Sequence, residues 1–227
     1  GKTYRSLGLL GPSEAQLRRA VELERRLVGE DHPDFADTSS WLAQTLMGEA
    51  KLDEAEPMLR HSIAVMRGAL PARAARLVGA INDLGLLLWG RGDTEKAEPA
   101  FLEAIALSRR YLGDGAPIEA AALGNVGLIH DARGDLDGAL DFYRQALAAL
   151  ERIPGPPFFE HAISQSNIAT VLRIRGQYPE SERLYNEALA TLEKTLGPDD
   201  ATFVAPMLAN LADLHRLEGR IAEADRE

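Results

Sequence analysis

Asp53-Glu-Ala-Glu-Pro-Met-Leu59 decides how the chain reads, because the pattern returns along its length. Ala55 is echoed by Ala97, Ala139 and Ser181, and Leu59 by Phe101, Tyr143, Tyr185 and, backwards, Leu17, each at a step of 42 residues. One extra residue precedes the last echo, Ala224. A fixed period in this range marks an array of helical repeats, in which each unit buries its apolar face only against its neighbours. The expected fold is all-α: one solenoid of antiparallel helix pairs over residues 1–227.

Apolar spacing supplies the helices. Leu77, Ile81, Leu84, Gly85 and Leu88 recur at three- and four-residue steps, one face of an α-helix. The same reading places helix pairs at 35–48 with 52–67, 73–89 with 94–111, 118–132 with 136–152, and 158–174 with 178–196. A second helix of a preceding unit covers about 12–28, and a last first-helix about 201–217. The repeats then run 34–75, 76–117, 118–157 and 158–200, with partial units at 1–33 and 201–227, as in an excerpt from a longer array. Cut units of that kind expose apolar faces at Leu7, Leu9, Leu10 and Ile221, a possible route to self-association.

Turns punctuate each pair. Gly92, Gly134, Gly176 and Gly219 follow the first helices, where glycine accepts the positive φ of a helix C-terminus. Asp93 and Asp135 stand where a side chain caps the second helix; Asp31 and Asp199-Asp200 suggest caps at the junctions. Pro57 and Pro99 lie about a turn inside second helices, so a distorted or late start is expected there. The small column Ala43, Gly85, Gly127, Ala169, Ala212 brings the paired helices close. The bulky column with Ser62, Ala104, Ala146 and Ala188 is expected to interlock each second helix with the next first helix.

Leu84-Gly85…Gly92…Ala97…Phe101…Ala104 resembles the tetratricopeptide repeat in spacing and residue type. The unit length, the Gly29-Glu-Asp-His-Pro33 junction, Glu54-Ala-Glu-Pro57 and the column Asn125, Asn167, Asn210 are similar to its kinesin-light-chain-like form. The resemblance implies a right-handed superhelix that binds a protein or peptide in the groove lined by its first helices. It also implies a kinship with bacterial members that form one segment of larger signalling proteins. The alternative is thus a sensor or substrate-docking arm of such an enzyme, for instance a serine/threonine kinase, with catalysis elsewhere.

Carried over residue by residue, the inward face falls on Ser40, Trp41, Gln44 and Met47, then Asn82, Asp83, Leu86 and Trp89. It continues through Gly124, Asn125, Leu128 and Asp131, then Ser166, Asn167, Thr170 and Arg173, then Asn210, Asp213 and Arg216. An amide donates and accepts, so the asparagines suit either a bound peptide backbone or a neighbouring helix. Leu86, Trp89 and Leu128 would form an apolar patch; Arg173 and Arg216 either grip a carboxylate or pair with acids such as Asp131 and Asp213.

Composition narrows the rest. A net charge of −10 disfavours nucleic acid and anionic membrane surfaces, which need clustered cations. With no cysteine there is no disulfide framework or thiolate chemistry, which suits a cytoplasmic setting. The apolar run 84–89 is far too short to span a bilayer. No phosphate loop, dinucleotide turn or His-Glu-x-x-His occurs, and His130 and His215 fall two units apart. The chain therefore reads as non-catalytic, with no metal and no cofactor.

Overall fold

A computed structural model describes residues 10–113, 115–155, 157–198, 200 and 202–219, with Leu10 described for its backbone only. Leu7, Leu9 and Ile221, the apolar ends named above, lie outside these residues with Ala224 and Asp199, and Leu10's side chain is likewise undescribed. The secondary structure is helical throughout, with no strand among the described residues.

The chain divides into two compact units, 1–113 and 114–227. The first holds α1 (Leu10–Leu27), α2 (Pro33–Gly48), α3 (Leu52–Gly68), α4 (Ala74–Gly90) and α5 (Thr94–Tyr111). The second holds α6 (Pro117–Ala132), α7 (Leu136–Glu151), α8 (Phe159–Ile174), α9 (Tyr178–Leu196) and α10 (Val204–Leu217). Within each unit every helix packs on the next in sequence, and successive first helices also touch: α2 on α4, α6 on α8, and α8 on α10.

Each hairpin closes with the same device. Gly92 (φ 82°), Gly134 (φ 76°) and Gly176 (φ 73°) take the left-handed conformation after a first helix. The following amide then donates back into the last turn: Asp93 to Leu88, Asp135 to His130 and Gln177 to Leu172, each at 2.9 Å. In the first hairpin the same place belongs to Ala50 (φ 59°), with Lys51 donating to Leu46 at 2.8 Å.

The small column works as expected inside the hairpin. A Cβ at Gly85 would lie 2.6 Å from Phe101, and one at Gly127 2.5 Å from Tyr143, so only glycine admits those rings. This also corrects one expectation: Phe101 and Tyr143 sit on the glycine of their own hairpin, instead of serving only to lock one hairpin to the next. Both rings are buried, as are Leu59 and Tyr185. Burial holds the Tyr143 phenol in its neutral form well above the usual range, with the nearby charge of Asp131 adding to it.

Three terminal expectations are revised. Helices α3 and α5 run regularly through Pro57 and Pro99, starting at Leu52 and Thr94. Each proline is exposed, and so is the residue four before it, so water solvates the carbonyl that loses its partner. His32, not Asp31, caps α2: its Nδ1 accepts from the Asp34 amide at 3.2 Å, with Pro33 opening the helix. Asp135 does cap α7 through the Gly138 amide at 3.0 Å, whereas Asp93 gives its carboxylate to Lys96 at 2.5 Å.

A latch absent from the sequence reading joins consecutive hairpins. At three of the turns a neighbouring cation reaches back to an acid in the first two turns of the preceding second helix. Arg91 pairs with Asp53 and Glu56, Arg175 with Asp137, and Lys51 with Glu14 at 2.9 Å. Hydrogen bonds from Lys51 and then Arg18 hold the Glu14 carboxyl down at about 2.

Candidate functional site

The first helices of adjacent hairpins lie side by side within each unit, so their outward faces make a shared wall. In the first unit that wall, on α2 and α4, is closed by side chains. Gln44 donates to Asp83 across the two helices. The Arg76 guanidinium covers the Trp41 ring at 4.7 Å. Arg73 joins Asp37 at 2.9 Å and Asp34 at 2.5 Å, and Asp37 itself is buried. Asn82 is buried on α4, Leu86 is exposed and Trp89 half-buried beside the turn.

Two repeats later the same positions carry different residues, and the wall opens. Trp41 and Arg76 correspond to Asn125 and Glu160; Gln44 and Asp83 correspond to Leu128 and Asn167. Between α6 and α8 there is a depression of about 210 Å³. Its lining includes Asn125, Leu128 and Gly124 from α6, and Phe159, Ile163 and Asn167 from α8. A Cβ built on Gly124 meets nothing within 4 Å, so the missing side chain is part of the opening. Phe159 is braced edge-on by Phe203 of the last turn before α10, ring centroids 4.5 Å apart.

Of the residues singled out from sequence, Asn125, Leu128 and Asn167 come together in this depression. Thr170 instead bonds Tyr185 inside the hairpin, hydroxyl to hydroxyl at 2.8 Å, and donates to the Ser166 carbonyl at 2.9 Å. Arg173 and Arg216 do not form a matched pair. The Arg173 Nε is buried without a hydrogen-bond acceptor, while Arg216 is exposed and lies 3.8 Å from Asp213. Asn210 is half-buried on α10. Asn82, Leu86 and Trp89 belong to α4 of the other unit.

Ser164, Glu160, Ile163 and Phe159 also line the opening and were missed from sequence. Three- and four-residue steps from Asn167 back to Ser164 and then Glu160 were a usable signal, since they keep one helix face. The histidines serve structure. His130 bonds Asp135 at 2.7 Å beside Phe142, and His215 bonds Glu182 at 3.1 Å. No group of three or more acidic or histidine side chains fit for a metal occurs among the described residues. No described helix is long and apolar enough to cross a membrane.

Comparison with known structures matches the fold. The chain is similar to BtubC (BKLC) from P. vanneervenii, with TM-score 0.79, 20% identity, and coverage of 96% of this chain and 87% of that one. It is similar to a Podosopora anserina putative kinesin light chain with nearly identical TPR-like repeats: TM-score 0.68, 19% identity, 86% and 92% covered. Pseudomonas aeruginosa pilF gives TM-score 0.69 at 18% identity, with 98% and 84% covered. No curated protein matches the chain. Tetratricopeptide repeat models match residues 1–34, 76–152 and 160–226, most of the sequence. With paired helices, glycine-closed turns and repeat models over most of its length, the chain belongs to the tetratricopeptide repeat family.

Proposed function

We propose that the chain is a non-catalytic scaffold that holds a peptide segment of a protein partner against its first helices. The observation that carries this reading is the depression between α6 and α8, where Asn125, Leu128 and Asn167 converge. A wall of helices already fixed by packing presents these groups without ordering cost on binding, which favours capture of a flexible segment. Asn167 offers both a donor and an acceptor to a peptide backbone, whatever its sequence. The family is one of protein-binding scaffolds, and nothing beyond these contacts is required of the chain.

The test is affinity capture from a lysate with the purified chain, followed by titration of the captured partner. Asn167→Ala, alone and with Asn125→Ala, is expected to weaken the complex about tenfold while moving the thermal midpoint little. Unchanged affinity with lowered stability would assign both amides to helix packing and end the groove reading.

A further inference from the structure

Resting on that reading, we infer that the depression between α6 and α8 is an anchor pocket for one bulky apolar side chain of the partner, flanked in its sequence by lysine or arginine. Size comes first. At about 210 Å³ the opening is smaller than the roughly 300–1,000 Å³ of small-molecule sites, and it suits a single leucine, methionine or phenylalanine side chain. Its walls are apolar, from Leu128, Phe159 and Ile163, and its floor lacks a side chain at Gly124.

Polarity then sets the direction of choice. Ser164 lines the opening at 8% exposure, and its hydroxyl makes no hydrogen bond among the described residues. A hydroxyl at that place can pair with a peptide N–H or C=O entering the opening. Glu160 is exposed at the rim, makes no ion pair among the described residues, and no lysine or arginine lines the opening. A chain of net charge −10 with an unpaired carboxylate at the mouth attracts basic flanks and repels acidic ones. The first unit supports the assignment by contrast. There the arginine Arg76 stands at the position of Glu160 and stacks on Trp41, filling the place itself.

Four fluorescein-labelled nonapeptides of a Gly/Ser background test this by anisotropy, with leucine or alanine at the centre and two lysines or two glutamates beside it. The lysine-flanked leucine peptide should bind saturably, and exchange of leucine for alanine or of lysines for glutamates should each weaken it about tenfold or more. Gly124→Leu fills the pocket and should abolish the preference for leucine. Should that variant fail to fold, Glu160→Lys on the exposed rim keeps the test decisive, since it should reverse the flank preference. Equal affinity for all four peptides, a preference for glutamate flanks, or no saturable binding up to about 1 mM overturns the anchor assignment. The groove reading fails separately. If the lysate partner still depends on Asn167 while Gly124→Leu and Glu160→Lys leave it bound, the groove stands and the anchor falls.

Discussion

At the scale of single residues, glycine in this chain has two opposite meanings. Gly85 gives its place to Phe101, so Gly85→Ala must push the ring away; overpacking of this kind costs about 1–3 kcal/mol. Gly124 faces open space in a helix, so Gly124→Ala should leave stability unchanged or raise it by up to about 1 kcal/mol. The urea midpoint should therefore fall for Gly85→Ala and hold or rise for Gly124→Ala. Ala50 is the converse case. It holds φ 59° where the other hairpins have glycine, and a left-handed non-glycine costs about 1–2 kcal/mol. Ala50→Gly should raise the urea midpoint by part of that amount, offset by the greater freedom of glycine in the unfolded chain.

At the scale of helices and their junctions, the latches between hairpins are exposed ion pairs, and their effect is small and screened by salt. The Glu14 carboxyl lies at about 2 against an ordinary 4.5, so its folded form holds protons less tightly than the unfolded chain. Its stabilising effect is then fully present above pH 4.5 and fades as pH falls toward 2. Urea midpoints of wild type and Glu14→Gln should differ at pH 6 in low salt and converge only as pH falls through about 2; a pH-independent gap would deny the latch. The prolines are the second matter at this scale. Pro57→Ala restores an amide to the second turn of α3, and the gain should fall well below the roughly 3 kcal/mol of a buried helix interior, because the freed carbonyl is already hydrated.

At the scale of the whole molecule, each helix packs mainly on its neighbours in sequence within its own unit, so stability is a sum of local terms. Hydrogen exchange should grade accordingly within each unit. Amides of α1 and α10, which pack on fewer described helices, should exchange before those of α4 and α8. Uniform protection along a unit would indicate cooperative unfolding of that whole unit. The candidate site follows the same local logic. The residues that open the wall in one unit and close it in the other lie on adjacent first helices, so exchanging Arg76 and Glu160 tests each opening without touching the hairpin cores.

The 42-residue period, the glycine turns and the apolar spacing determined the helices and their pairing, because a repeat can bury its apolar face in only one way and must do so each time. Asn125 and Asn167 were legible as one column, and Leu128 as a member of the same inward face, for the same reason. The tertiary structure alone decided which column members face an opening. Thr170 turned inward because Tyr185 offered a partner, Trp41 and Arg76 filled their place, and Gly124 left its place vacant. Those outcomes depend on pairs of side chains from different helices meeting in space, and a repeating pattern read along one strand of sequence does not contain the distances between them.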